Sequence, residues 1–250
     1  MKRQTSMFLA AATLALGLGG TAWAAGWKEM AKQAADAMSK NPQAAALADS
    51  EIVQGLREAL AKGTKNAVLQ LGKADGFWAD TRFRIPLPKT IVQADTLLRA
   101  GGYGPNIDEL HLAFNRAAEK SVPVAADVFS QAVQKLTITD ARNILSGPPD
   151  AATQYFRKTT GETLRIQFKP LVTQVTAKAG LIQQYDKMMA KAGPFAQLAG
   201  AKADVNEYVT GKALDGLFLR VADEEKAIRT NPAARTSEVL KKVFGSGNAK

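Results

Sequence analysis

The sequence predicts an all-α protein, a single multi-helix domain carrying one short proline-rich extended segment. Three observations predict it. Apolar residues recur at helical spacing through most of the chain, as in Ile107, Leu110, His111, Phe114 and Ala118. Prolines, glycines and capping residues punctuate these stripes where helices would begin and end. Alanine is abundant, β-branched runs are short, and no strands alternate with helices.

The first residues have a different purpose. Lys2 and Arg3 precede an uncharged apolar run over 7–18, followed by Ala22-Trp23-Ala24 with small residues at the cleavage-recognition positions. This is the pattern of a secretory signal peptide over 1–24, cut after Ala24, and the run is shorter than the about 20 apolar residues a membrane span needs. Residues 25–48 read as an N-terminal helical extension, 49–245 as the helical domain, and 246–250 as a frayed tail. After cleavage no segment is long and apolar enough to span a membrane, and a periplasmic, soluble product is expected.

Within the extension, 27–40 is an alanine-rich helix stopped by Asn41-Pro42. Asp49 or Ser50 is placed to cap the next helix, whose stripe is Ile52, Leu56, Leu60, Ala67 and Leu71, with Asp75-Gly76 as the closing turn. Phe77 to Pro88 contains two prolines one residue apart and reads as extended, its aromatics packing across helices. A helix over Lys89–Ala100 follows, with Ile91, Leu97 and Leu98 inward and Gly101-Gly102 closing it. Pro123 marks the first turn of a segment whose inner face is Val122, Ala125, Ala126, Phe129 and Val133. Thr137 and Asp140 make a capping-box pattern, and Gly147-Pro148-Pro149-Asp150 stops that helix and caps another. Pro170 predicts a kink or break within 162–178. Helix continues over 181–191, 193–203 reads as a linker, a further helix spans 204–230, and Thr236 or Ser237 caps a last one ending near Phe244.

Composition narrows the chemistry. Of 250 residues none is cysteine and one is histidine, which removes thiol catalysis, disulfides and thiolate metal sites, and excludes or cripples a Ser–His–Asp system or a zinc site with several imidazoles. No cofactor or metal motif is present: Gly101-Gly102-Tyr103-Gly104 follows a helix and lacks phosphate-loop spacing. His111, on an apolar face, is either a buried base or a satisfied core residue. The net charge is +10, and loss of Lys2 and Arg3 leaves +8. For an exported protein such charge points to an anionic envelope component rather than nucleic acid, although interleaved acids and bases also describe ordinary solvated faces.

The candidate site residues are charged groups at helical spacing. Asn115 and Glu119 are i,i+4 with Arg116 alongside; Glu224 and Glu225 interrupt the stripe of Leu214, Leu217, Phe218, Val221 and Ile228. Arg220 pairs with Glu224 and Glu225 with Arg229 by the same spacing. They are surface pairs, or else a buried polar network that holds helices together or lines a pocket. Tyr155 and Arg157, with Arg99 and Arg116, are a candidate anion cluster.

Several of these motifs resemble a known family. Asp75-Gly76-Phe77, Ile85-Pro86-Leu87-Pro88, Asn115-Arg116-Ala117-Ala118-Glu119, Val122-Pro123, Asp140-Ala141 with Ile144-Leu145, and Ala151-Ala152-Thr153 with Tyr155-Phe156 come in order. Phe168-Lys169-Pro170, the run from Lys212 to Phe218, Glu224-Glu225 with Ile228-Arg229, Asn231-Pro232, Arg235-Thr236 and Val243-Phe244 complete the series. Together they resemble the exported bacterial family called domain of unknown function 4197 over about residues 49–245. The resemblance implies a helical exported domain and brings no established activity, cofactor or catalytic residue. Some relatives are lipoproteins, for which this sequence lacks the required cysteine.

The leading functional expectation is a non-enzymatic binding or envelope-accessory module for an apolar, lipid-like or anionic envelope ligand, or a protein partner. The alternatives are a carboxylate-based hydrolase or lyase with Glu119, Glu224 or Glu225 as general base, and a structural homo-oligomer joined through exposed helix ends.

Overall fold

The first long apolar stripe folds as helix α1 (Pro42–Leu71) in the computed structural model, which describes residues 42–178, 180–192 and 204–234. By contact density the chain divides into Met1–Ala48 and Asp49–Lys250. The expected signal segment, helix 27–40, linker 193–203, last helix and tail lie outside the described residues. The described part is all-α: α2 (Lys89–Ala100), α3 (Gly104–Ser121), a 3-10 turn (Val122–Val124), α4 (Ala125–Gln134), α5 (Ile138–Ser146), α6 (Ala151–Lys178), α7 (Leu181–Ala192), α8 (Val205–Thr230) and a 3-10 turn (Pro232–Ala234). Among the described residues there is no strand, and no helix is long and apolar enough to cross a membrane.

Helix α6 is the element on which the others assemble, packing against α8, α3, α4, α5 and α7. Its buried residues Ala152, Phe156, Thr160, Leu164, Phe168, Val172 and Thr176 repeat every four positions, a row that winds gradually round the helix, with Thr153 beside its start. Phe156 stacks edge-on against Phe129 of α4 at 5.1 Å, and Phe129 meets Phe218 of α8 at 6.2 Å. Each fully buried ring contributes about 1.5–3 kcal/mol by area and each such pair roughly 0.5–1.5 kcal/mol more. Pro170 does not break α6. It lies on the exposed face, so the carbonyl deprived of its N–H partner borders water rather than the core.

Other local expectations are corrected too. Neither Asp49 nor Ser50 is an N-cap, because α1 is already helical at Pro42; Asp49 instead pairs with Arg142 of α5 at 2.7 Å. Leu97 is 50% exposed, while Ala94 joins Ile91 and Leu98 inside. Ala126 is exposed and Val128 takes the inner position. The segment expected to be extended from Phe77 runs as successive turns to Phe83, with Ala79 N–H donating to Asp75 and Arg84 N–H to Asp80, and is extended only over 84–88. Thr137 and Asp140 do form the capping box, and Asp204 caps α8 by accepting from Asn206 and Glu207 N–H.

Phe77 explains one glycine. Its ring is fully buried against Gly216 in the middle of α8, where an added Cβ would come within 2.6 Å of the ring. Gly216→Ala is therefore expected to cost about 1–3 kcal/mol by overpacking, despite alanine's better helix propensity. Gly161→Ala, where an added Cβ meets nothing within 4 Å, is expected to stabilise by about 0.5–1 kcal/mol. Urea unfolding of the two variants checks the opposite signs.

Candidate functional site

Backbone groups that no helix or sheet satisfies must find partners when buried. The segment after α1 is such a case, and α3 supplies the partners. Asn115, fully buried, accepts from Ile85 N–H at 2.8 Å and donates to the Ile85 carbonyl at 3.2 Å, so its carboxamide pairs with the chain as a neighbouring strand would. One turn on, Glu119 Oε1 accepts from Phe77 N–H at 3.1 Å and Trp78 N–H at 3.2 Å. Its Oε2 accepts from Arg116 at 2.7 Å, and Arg116 also reaches Asp75 at 2.7 Å. Asp75 itself takes φ +64, the left-handed conformation that Asp tolerates better than most residues.

Helix α8 repeats the device. Glu225 accepts from Ala152 N–H at 3.0 Å and Thr153 N–H at 2.9 Å, the first turn of α6, and from the Thr153 hydroxyl at 2.8 Å. Arg229 donates to Glu225 at 2.9 Å and to the Ile144 carbonyl near the end of α5 at 2.8 Å. Asp150 is the cap the sequence suggests for this helix; its carboxylate instead accepts from the Gln154 side chain. Glu225 takes over because a carboxylate at a helix N-terminus gains from both the orphan N–H groups and the helix dipole. Side-chain exposure is 6% at Glu225 and 8% at Arg229, a buried ion pair, whereas Glu119 is 4% exposed and its partner Arg116 35%, so there only the carboxylate is buried. Removing one member of a buried pair costs roughly 3–5 kcal/mol.

The remaining sequence candidates are dispersed. Glu224 accepts from Arg220 on its own helix and from Asn66 across the α1–α8 seam, both at 3.2 Å. Tyr155 donates weakly to the Ala132 carbonyl at 3.4 Å, and burial pushes its phenol up from the usual range. Arg157 lies over the Phe218 ring at 4.6 Å and pairs with Asp215; Arg99 pairs with Asp95 and Asp108. Arg99, Arg116 and Arg157 thus each face their own acids, and the structure does not bring them together with Tyr155 on a shared centre. Among the described residues no group of three or more acidic or histidine side chains is placed to hold a metal ion.

Among the described residues two open grooves bear on function. One follows α6 past Arg165, Ile166, Lys169 and Pro170 to Glu207, and its charges answer each other: Arg165 contacts Glu207, and Lys169 lies 3.2 Å from Glu207 and 3.4 Å from Asp204. The other, about 760 Å³, lies between α1 and α4. Its floor is Ala61, Val68, Ala126, Ser130 and Val133; its rims carry Glu58, Lys65 and Leu69 on α1, and Asp127 and Gln134 on α4. Arg57 closes one end by donating to the carbonyls of Gln134 at 3.0 Å and Leu136 at 2.8 Å. Among the described residues none forms an ion pair with Glu58, Lys65 or Asp127, and Leu69 is 60% exposed. Sequence reasoning missed this groove. The available signals were Leu69, which falls off the inner stripe of α1, and the small residues facing it.

His111 donates from Nε2 to the Ile85 carbonyl at 2.9 Å and meets Trp78 edge-on at 5.0 Å. Burial chiefly, with Arg84 adding to it, holds its imidazole below the ordinary range against the opposing pull of the Ile85 carbonyl and Asp108. The unfolded chain then takes up the proton first, so stability is complete above about pH 6.5 and declines as pH falls through that value. Chemical unfolding at pH 7.5 and 5.5 is expected to show this decline, and His111→Gln, which removes the only histidine, is expected to reduce it.

No curated protein and no solved structure matches the chain. The profile of one family, described as a protein of unknown function, matches residues 46–245, a span that contains both carboxylate pairs and the α1–α4 groove. The chain belongs to that family, DUF4197.

Proposed function

We propose that the protein is an exported helical module of the cell envelope that works by binding, and that its docking place is the groove between α1 and α4. The observation that carries this reading is the groove itself. Its volume of about 760 Å³ is of ligand-pocket size, with an apolar floor, and its rim charges Glu58, Lys65 and Asp127 form no ion pair among the described residues. The buried carboxylates that a hydrolase or lyase would need as bases are held instead by backbone N–H groups, a threonine hydroxyl and arginines, Glu119 by three donors and Glu225 by five. Export is supported by the basic, apolar and small-residue succession of residues 1–24.

A photo-crosslinking residue in place of Ser130, on the groove floor, tests the binding reading in the producing cell. An adduct is expected there and not from the same residue in place of Gln167, exposed on α6 and outside this groove. Terminal sequencing of the recovered chain should begin at Ala25. Absence of any Ser130-specific adduct contradicts the binding role, and a chain still starting at Met1 contradicts export.

A further inference from the structure

The charges around the groove are arranged so that the face complements itself. Arg57 reaches the carbonyls of Gln134 and Leu136, while Gly72 lies against Pro123, where an added Cβ would come within 3.3 Å of the proline ring. These two contacts tie opposite ends, so α1 and α4 run antiparallel. Interpolating between them sets Lys65 level with Asp127 and Glu58 level with Gln134, on facing rims. The groove is open because Ala61, Ala126 and Ser130 are small, while exposed Leu69 stands at one end of the same face.

We propose that the occupant of this groove is a second copy of the same chain, docked about a two-fold axis that runs along the groove. This rests on the binding reading above. Such an axis lays α1 of each copy over α4 of the other. Lys65 then faces the other copy's Asp127, twice per dimer, and Glu58 faces Gln134. Leu69 of each copy is covered at the start of the opposing α4. The result is a four-helix arrangement in which every helix is antiparallel to its neighbours, a geometry helices pack into readily. An isologous contact requires this reciprocity: residue i meets j, and j meets i.

Sedimentation velocity of the purified full chain over a range of concentrations tests the proposal. A concentration-dependent dimer is expected. Lys65→Glu and Asp127→Lys are each expected to weaken it roughly thirtyfold, since two contacts per dimer turn from attraction to repulsion. Both positions are exposed, so circular dichroism should report unchanged helix. An equimolar mixture of the two variants should restore dimerisation, because the introduced glutamate of one chain then meets the introduced lysine of the other. A wild-type chain that stays monomeric at several hundred micromolar overturns the proposal, as does a dimer indifferent to both substitutions, or a mixture that does not recover. The Ser130 crosslink separates the two levels. An adduct with a lipid or a different protein, beside a monomeric chain, overturns the second-copy occupant and leaves the binding reading standing. No adduct removes both.

Discussion

Two buried glutamates, each taking two consecutive backbone N–H groups and an arginine, are the interaction on which the rest of this structure depends. Glu119 holds Phe77 and Trp78; Glu225 holds Ala152 and Thr153. In both places the chain changes direction between helices and leaves donors that no regular structure can satisfy. A neutral acceptor would meet the geometry, but a carboxylate forms the stronger hydrogen bonds, both to the N–H groups and to the adjacent arginine. The consequences extend well beyond the contacts. Fixing Phe77 and Trp78 sets the buried Phe77 ring on Gly216, which joins the segment after α1 to α8. Fixing Ala152 and Thr153 aligns the start of α6, the helix against which α3, α4, α5, α7 and α8 pack.

Charged groups are arranged differently in the interior and at the surface. Charges that hold the fold are paired, Arg229 with Glu225 wholly inside and the buried Glu119 with Arg116 at the edge of the interior. Those around the α1–α4 groove, Glu58, Lys65 and Asp127, are exposed and form no ion pair among the described residues. On the binding reading proposed above, an apolar floor beside charges of both signs suits an amphipathic occupant, with charge setting register and area setting affinity. The groove along α6 has a similar volume but closes its charges on itself, which leaves it less to offer a partner.

Much of the architecture is legible in the sequence because it is locally encoded. The bounds of α2 follow from Pro88 and Gly101-Gly102, the start of α5 from Thr137 and Asp140, and α8 from Asp204 and Asn231-Pro232. The polar candidates Asn115, Arg116, Glu119, Glu225 and Arg229 can be named because they sit on otherwise apolar helical faces. Their partners cannot, since Glu225 and the N–H groups it accepts from are more than seventy residues apart. For the same reason the sequence favours Asp150 over Glu225 as a cap. Leu97 and Ala126 are misplaced from sequence because periodicity gives the direction of a stripe but not its width. The groove is invisible there, being made by the absence of bulk at Ala61, Ala126 and Ser130 on two helices whose pairing no local pattern announces.

Amide hydrogen exchange followed by NMR tests the central claim most directly. If Glu119 and Glu225 anchor the fold, the amides of Phe77, Trp78, Ala152 and Thr153 exchange only through openings nearly as rare as global unfolding, although all four lie outside the hydrogen-bond ladder of any helix. Glu119→Gln and Glu225→Gln should each speed exchange at their own pair of amides first. Exchange of those four amides at the rate of exposed loop amides in the unsubstituted protein would contradict the account.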